Sequence, residues 1–348
     1  MSIRSTSENA THGRVIASSF RAHPLMTSAH LQTIIPSLLR PRADVTFRRE
    51  RLELPDGDFV DLGWAGEHHH DGPIAVLVHG LGGGLESKYL RGLAWKLIAS
   101  GFRVCGLQLR GAGPDANRLP RAYHQGDTAD LKFLWQRLRS REPHAFIASV
   151  GWSLGGNITL KALGEEGDRA APDVACAVSV PFRLRDCAEH LRTGFARVYQ
   201  NELLSSLKAM VRRKHAAQPV RRPANLQRAL AARDFFEFDN AFTAPLNGFR
   251  DAEDYYARAT CSLVLKDIRR PTLVLHATDD PFMAPTIVPD ARDLAPDVTI
   301  EVSSRGGHVG FVAAGTFGIP RSWSEWRIVR YLSQAAHLSD GVPCHTMA

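Results

Sequence analysis

The sequence predicts an α/β protein built on a mostly parallel, doubly wound sheet. From about Leu52 onward, strand-like and helix-like segments alternate along the 348-residue chain. Most of the strand-like segments are continuous apolar runs, a pattern typical of strands that are buried on both faces of a parallel sheet. Repeated β–α units place helices on both faces of such a sheet.

The predicted strands are short. Residues 58–64 (DFVDLGW) alternate apolar and polar side chains, so we expect a half-buried antiparallel strand there. The later segments are predicted as buried strands: 74–78, 102–107, 145–150, 174–180, 272–276 and 298–302.

Amphipathic segments lie between these strands. Residues 86–100 place apolar side chains at helical spacing and stop before Gly101, a residue type that commonly ends helices. Asp127 is the predicted N-cap of the next helix. Further helices are predicted at 154–164 and around 322–336.

The alternation stops at Pro181 and resumes after about Ser262. Between them the sequence has no buried strand, only basic and helical segments such as 188–210 and 251–259. We therefore predict an insertion that forms a helical cap over an active site. The predicted parts are an N-terminal arm that packs on the core (1–45), a discontinuous core (46–182 and 263–338), the basic helical cap (183–262) and a C-terminal tail (339–348).

The net charge of +7 is distributed unevenly. Between Arg183 and Arg233, twelve Lys/Arg stand against three Asp/Glu, a net charge of +9; residues 1–51 carry +5, and the remainder carries −7. Two interpretations of the basic cap stay open: a solvated basic surface, or a cap that draws anionic amphiphiles or a lipid surface towards the cleft. Neither a nucleic-acid-binding motif nor aromatic residues interleaved along the basic segment are present, so we predict no nucleic-acid partner.

The cysteines, the apolar runs and the histidine run indicate the compartment and the ligands of the protein. The five cysteines are widely spaced without a C-x-x-C, and the apolar runs are far shorter than the ~20 residues of a membrane-spanning helix. We expect a reduced, cytoplasmic protein. Residues 31–39 of the arm are apolar and are expected to pack on the core or cap, with a weak contact to a membrane surface as the alternative. Residues 68–70 (HHH) lack further ligands at tetrahedral spacing, so no metal is predicted, and the oligomeric state stays open.

Residues 151–155 (GWSLG) match G-x-S-x-G and lie between a predicted strand and a predicted helix. This is the context in which the motif forms a sharp turn that exposes a nucleophilic serine, here Ser153. A serine hydroxyl needs a neighbouring base, which is itself oriented by a carboxylate. In this kind of site the chain order is Ser, then Asp or Glu, then His.

The acid and the base are expected after the later strands. Residues 279 and 280 are both aspartates and follow strand 272–276, at the sheet edge where the acid belongs. We favour Asp280 over Asp279, which would then shape the turn. His308 lies in a glycine-flanked loop, residues 306–310 (GGHVG), after the last strand.

Two backbone N–H groups should face the carbonyl oxygen on which charge develops. One belongs to Leu154, directly after the nucleophile, and the other to Leu81 in residues 79–84 (HGLGGG), which follow an early strand. The glycine run permits close approach of the backbone to a ligand. It is not a phosphate-binding loop, because G-x-x-x-x-G-K-[ST] is absent. Three neighbouring residues are assigned to substrate binding: His79, Gly80 and Trp152.

Together these residues resemble the α/β-hydrolase superfamily and, within it, the bacterial YheT-type esterases, relatives of the eukaryotic abhydrolase proteins that act on monoacylglycerols and phospholipids. The resemblance extends from about His30 to the terminal helix. Besides the elbow around Ser153, it depends on residues 30–33 (HLQT), 51–58 (RLELPDGD), 117–118 (NR), 123–124 (YH), 195–199, 279–283 (DDPFM) and 306–311 (GGHVGF). It implies an α/β-hydrolase fold and ester hydrolysis through Ser153, Asp280 and His308 without a cofactor.

We therefore expect a serine hydrolase that cleaves carboxylic esters by an acyl-enzyme mechanism. The expected substrates are short- to medium-chain acyl esters or monoacylglycerol-like lipid esters. A thioesterase or acyltransferase with the same triad is one alternative. A hydrolase-like binding protein without turnover is another, and the intact Ser-Asp-His set argues against it.

Overall fold

A computed structural model describes residues 11–217, 225–315 and 318–338. The predicted tail (339–348), the first ten residues of the arm, and Arg221 and Arg222 of the cap lie outside these residues. The strands of the described part are β1 (Arg14–Ala17), β2 (Arg48–Glu53), β3 (Phe59–Ala65), β4 (Ile74–Val78), β5 (Arg103–Gln108), β6 (Ile147–Trp152), β7 (Val174–Val178), β8 (Thr272–Ala277), β9 (Val298–Ser303), β10 (Val312–Ala314) and β11 (Pro320–Ser322).

Nine of these strands form one sheet in the order β1-β9-β8-β7-β6-β4-β5-β3-β2, and β10 and β11 form a separate hairpin. The first seven strands in this order, β1 through β5, pair in parallel with their neighbours. Strand β3 pairs antiparallel with both β5 and β2. The predicted mostly parallel α/β sheet is confirmed. Strand β4 lies between β5 and β6, so the winding direction reverses there and a crevice opens beyond the carboxyl ends of β4 and β6.

Helices cover both faces of this sheet. They are α1 (Ala29–Leu39), α2 (Lys88–Ala99), α3 (Ala129–Arg141), α4 (Leu154–Glu166), α5 (Leu184–His190), α6 (Ala196–Ala217), α7 (Leu226–Ala231), α8 (Phe235–Phe238), α9 (Ala244–Leu246), α10 (Ala252–Ala259) and α11 (Trp323–Ala335). The apolar faces of α2 and α11 form one core layer, and those of α3 and α4 form the other. No helix in the described ranges combines the length and apolar character needed to cross a bilayer.

The cap helices α5–α10 are inserted between β7 and β8, and their apolar side chains extend the core layer of α3 and α4. Lys214 of α6 reaches into the core and donates hydrogen bonds to Asn117 Oδ1 (2.6 Å) and to the carbonyl oxygen of Leu119 (2.5 Å). Burial lowers the pKa of this lysine to about 8. The contact anchors the cap to the loop that contains the Asn117-Arg118 pair.

Three local predictions were wrong. All seven residues of β3 are buried instead of alternating, because neighbouring side chains cover both faces and Arg49 and Arg51 pair with the buried Asp61. The single helix predicted at 188–210 is divided into α5 and α6. Asp127 is not an N-cap: Thr128 precedes α3, and the Asp127 carboxylate accepts a hydrogen bond from Arg121 instead.

The N-terminal arm contributes β1, an edge strand that pairs in parallel with β9. The sequence did not predict this strand, because its apolar run (VIA) is only three residues long; all four residues of the strand are exposed. Helix α1 follows and lies beside the loop that contains His308. The arm is therefore part of the sheet as well as a neighbour of the candidate site.

Candidate active site

Ser153 lies at the sharp turn between β6 and α4. Its backbone has φ 51° and ψ −117°, a conformation that is strained for a residue with a side chain and that occurs at functional turns. Gly155 permits the turn, because a Cβ atom there would lie 2.2 Å from the carbonyl oxygen of Val78 on the neighbouring strand. The serine hydroxyl is thereby held at the crevice beyond the carboxyl edge of the sheet.

The structure brings the three predicted catalytic residues together. Ser153 Oγ lies 3.0 Å from His308 Nε2, and His308 Nδ1 lies 2.7 Å from Asp280 Oδ2. Asp280 is buried, and its second oxygen accepts a hydrogen bond from the backbone N–H of Phe282 (2.9 Å). With Nδ1–H donating to the carboxylate, Nε2 is free to accept the serine proton, which is the arrangement that activates a hydroxyl nucleophile.

The two adjacent aspartates have different partners. Asp280 contacts the imidazole, whereas Asp279 Oδ1 accepts a hydrogen bond from the backbone N–H of Gly307 at 2.9 Å. Burial raises the pKa of Asp279 above its ordinary value. Asp279 therefore does more than shape its own turn: it holds the backbone directly before His308.

The loop after His308 has an unusual backbone. Val309 and Phe311 have φ values of 61° and 47°, which are strained for side chains of this size. Ser179, at the end of β7, accepts a hydrogen bond from the backbone N–H of Val309 through its Oγ (3.0 Å). Strain of this kind persists only where the surroundings hold it in place.

Helix α1 of the arm supplies further support for this loop. Thr33 Oγ1 accepts a hydrogen bond from the backbone N–H of His308 (2.9 Å), and Gln32 Oε1 accepts one from Val312 (2.7 Å). The backbones approach so closely that a Cβ atom on Gly310 would lie 1.9 Å from the carbonyl oxygen of Gln32. Gln32 and Thr33 of the 30–33 motif thus hold the loop that contains His308.

Comparison with known proteins agrees with this fold. Residues 73–314 match the family model described as alpha/beta hydrolase fold. The chain belongs to the α/β-hydrolase family. It is 41% identical over 310 residues to a protein of Escherichia coli (strain K12) named "Putative esterase YheT", an alignment that covers 88% of this chain and 91% of that protein.

More distant proteins are also similar. The chain is 32% identical over 249 residues to the monoacylglycerol lipase of Saccharomyces cerevisiae, covering 69% of this chain and 55% of that protein. Among solved structures, the Pyrococcus furiosus esterase Pf2001 superposes with a TM-score of 0.55 at 14% identity, covering 84% of this chain and 98% of that chain. The likeness to Pf2001 concerns the fold alone.

In this α/β-hydrolase, the loop after β4 lies against the serine turn. The N–H groups on either side of Leu81 are engaged: Gly80 donates to Tyr89 Oη (2.9 Å) and Gly82 to Tyr123 Oη (3.0 Å). Within the described part of the chain, no group accepts a hydrogen bond from the N–H of Leu81. The two tyrosines therefore hold the loop while leaving one donor available at the crevice.

The three residues assigned to substrate binding have different surroundings. Gly80 and Trp152 line the crevice, but His79 does not and is fully buried. The ring of His79 donates to the carbonyl oxygen of Gly80 (2.8 Å) and accepts from the N–H of Leu109 (3.1 Å), and burial lowers its pKa to about 4. The predicted substrate contact through His79 is therefore wrong. Its ring bonds to neighbouring backbone groups and supports the loop from the buried side.

An aromatic stack connects the imidazole to the cap and the arm. The Phe282 ring lies parallel to that of His308, with centroids 3.8 Å apart and planes 8° apart. Tyr199 of α6 packs on Phe282 at 4.9 Å, and its hydroxyl lies 2.8 Å from His30 Nδ1. These residues belong to the motifs on which the family resemblance depends, but the sequence predicts no role for them. Their aromatic character is the only sequence feature that indicates a stack.

A cavity of about 760 Å³ extends from Ser153 between the core, the cap and α1. Most of its lining is apolar, including Ile34 of the arm and Leu184, Leu203 and Leu207 of the cap. Across the residues that the structure describes, no group of three or more His, Cys, Asp or Glu side chains is arranged to hold a metal ion. The mainly apolar lining suits the hydrocarbon part of an ester.

Proposed function

We propose that this α/β-hydrolase cleaves carboxylic esters through a serine acyl-enzyme. The observation that supports this most directly is the continuous hydrogen-bonded series Ser153–His308–Asp280 at the wall of a mainly apolar cavity. The names of both related proteins denote enzymes that cleave esters.

In the first step, Ser153 Oγ attacks the carbonyl carbon of the ester and its proton passes to His308 Nε2. Asp280 stabilises the imidazolium that forms. The carbonyl oxygen becomes an oxyanion, and we assign its two donors to the N–H groups of Leu81 and Leu154. The intermediate then expels the alcohol, which receives the proton from Nε2, and leaves an acyl group on Oγ.

In the second step, water attacks the acyl carbon and gives a proton to His308 Nε2. The second tetrahedral intermediate collapses, the carboxylic acid leaves, and Ser153 Oγ regains the proton. The step needs no cofactor. The volume and lining of the cavity favour short- to medium-chain acyl esters or monoacylglycerol-like lipid esters as substrates.

The test uses a Ser153→Ala variant. We expect it to lose both hydrolysis of a neutral butyrate ester and labelling by a fluorophosphonate, with its thermal unfolding midpoint retained. Labelling of Ser153→Ala at the wild-type rate would contradict the proposal. Product analysis in the presence of a competing alcohol separates hydrolysis from acyl transfer by the same triad.

The positive charge of the cap has two possible interpretations, a solvated surface or attraction of anionic substrates. Six of its arginines pair with carboxylates of the cap itself: Arg183, Arg185, Arg192, Arg233, Arg250 and Arg258. These pairs lower the effective charge of the cap and favour the interpretation of a solvated surface. Equal salt dependence for neutral and anionic esters supports that interpretation, whereas a steep loss confined to anionic esters supports attraction of anionic amphiphiles.

A further inference from the structure

The cap wall of the cavity contains a buried carboxylate that the triad does not use. Asp239 begins a π-helical segment, Asp239–Thr243, and lines the cavity while only 6% exposed. Thr243 Oγ1 and Tyr256 Oη each donate a hydrogen bond to it, at 2.6 Å and 2.7 Å. Burial raises its pKa to about 6, so it is ionised at pH 7 and above.

The ionised form of Asp239 lacks a balancing charge. Among the residues that the structure describes, no Lys, Arg or His side chain forms an ion pair with it. An ionised carboxylate has about four acceptor positions, and the two hydroxyls occupy two of them. A buried charge without a cation is costly, and such groups in a cavity are candidates for ligand contacts.

A second acceptor belongs to another residue of the cavity lining. Gln125 also lines the cavity, and its Oε1 is buried without a hydrogen-bond partner in the described part of the protein. Its backbone N–H donates to Tyr255 Oη (2.9 Å), and the rings of Tyr255 and Tyr256 are 5.2 Å apart. Gln125 and Asp239 therefore flank one tyrosine pair in an otherwise mainly apolar lining.

We propose that Asp239 and Gln125 form a polar subsite for a hydroxyl or ammonium group in the alcohol portion of the substrate. This proposal rests on the proposed function. Both side chains present acceptor oxygens, so the matching group must donate hydrogen bonds, as O–H and N⁺–H groups do. An ester without a donor leaves both acceptors unsatisfied, which is unfavourable in a site shielded from water.

The test compares octanoate esters in matched pairs. The first pair is the 2,3-dihydroxypropyl ester and its hydrocarbon counterpart, the 2-methylbutyl ester. The second is the 2-(dimethylammonio)ethyl ester and its counterpart, the 3-methylbutyl ester. We expect the wild-type protein to prefer the donor-bearing member of at least one pair about tenfold in kcat/KM.

Asp239→Asn and Gln125→Leu should each reduce this preference at least fivefold by lowering kcat/KM for the donor-bearing ester, without lowering it for the hydrocarbon ester; Gln125→Leu should raise the latter, because it removes an unsatisfied acceptor. Thr243→Val keeps the carboxylate, so it should keep the preference even if it lowers the unfolding midpoint. If the variants reduce the preference only in the first pair, the subsite binds a hydroxyl group. If they reduce it only in the second pair, the subsite binds an ammonium group. A preference for the ammonium ester should also decline as the pH falls through about 6, where Asp239 is protonated.

Two results would overturn the subsite: no preference in either pair, or equal loss for both members of a pair in the variants. If Asp239→Asn does not fold, the same criteria apply to Gln125→Leu, because Gln125 is only half-buried. Failure of the proposed function is distinguishable, since the wild-type protein would then hydrolyse none of the four esters faster than Ser153→Ala.

Discussion

The serine turn contains the proposed nucleophile and the His308 loop contains the proposed base, and the two segments are stabilised in opposite ways. The serine turn depends on local sequence, the motif 151–155, together with one adjacent strand. The His308 loop depends on residues that are distant in the sequence. Its backbone N–H groups donate to Asp279, Ser179 and Thr33, which are separated from their donors by 28, 130 and 275 positions along the chain. Ser153 is therefore positioned by a short segment, and His308 by the assembled tertiary structure.

This difference has an energetic side. Both regions contain backbone that is strained at positive φ. In the serine turn, glycines and the packing of α4 on β4 accommodate the strain. In the His308 loop, side-chain acceptors from the arm, β7 and the acid loop hold it, so substitutions far from the site in sequence should alter the base selectively.

The largest effect is expected from a substitution of Asp280, which contacts the imidazole of His308. Asp280→Asn should lower kcat/KM by about 10³–10⁴, because the amide no longer orients the imidazole or stabilises its charged form. Asp279→Asn should lower it only about tenfold, since Asp279 contacts the loop backbone. Steady-state kinetics on a neutral ester measures both, and similar losses in the two variants would contradict the distinction.

Next in size is a change in the serine turn. Gly155→Ala should lower the free energy of unfolding by about 3 kcal/mol, because its Cβ would meet the Val78 carbonyl oxygen at 2.2 Å. Gly113→Ala is the matched control, since its Cβ would have only ordinary contacts of 3.4 Å or more. Urea unfolding compares the two; equal stability would show that the turn tolerates a side chain.

A smaller effect is expected from the arm. Thr33→Val keeps the shape of the side chain but removes the acceptor for the His308 N–H, which should lower kcat about tenfold with little change in KM. Thr33→Ser retains the hydroxyl and should retain the activity. If both variants behave as the wild type, the arm does not position the base.

The smallest effect concerns the aromatic stack. Phe282→Leu removes the ring that stacks on His308 at 3.8 Å and should lower kcat about threefold, since a ring face stabilises a cation by about 0.5–1 kcal/mol. Phe282→Tyr keeps the ring and serves as the control. A loss in Phe282→Tyr equal to that in Phe282→Leu would assign the effect to shape instead of stacking.

Sequence patterns were sufficient for the buried parts of the sheet. Strands β4 to β8 are mainly apolar, β9 (VTIEVS) alternates apolar and polar residues, and the predicted segments overlap all six strands. Strands β1 and β2 were missed, because β1 is only four residues long and β2 is rich in arginine and glutamate (RRERLE). The two three-residue strands of the hairpin, β10 and β11, were missed as well. Edge strands are stabilised by pairing with a neighbour, and pairing leaves no local hydrophobic pattern.

The candidate site divides in the same way. Ser153, Asp280 and His308 were predicted because motif, chain order and loop context are written locally. The supports from Thr33, Gln32 and Ser179 could not be predicted, because a threonine or glutamine in a helix shows no sign of the distant backbone that it bonds. His79 was misassigned because its place in a glycine-rich loop says nothing about the direction of its ring.

The sequence alone determined the α/β class, the predicted triad and the position of the cap, because short apolar runs, turn motifs and chain order encode them. Only the tertiary structure decided which aspartate contacts the imidazole, which segments hold the strained His308 loop, and that Asp239 and Gln125 flank one part of the cavity. These features depend on distances between residues far apart in the chain. Such distances exist only once the sheet, the arm and the cap have packed together.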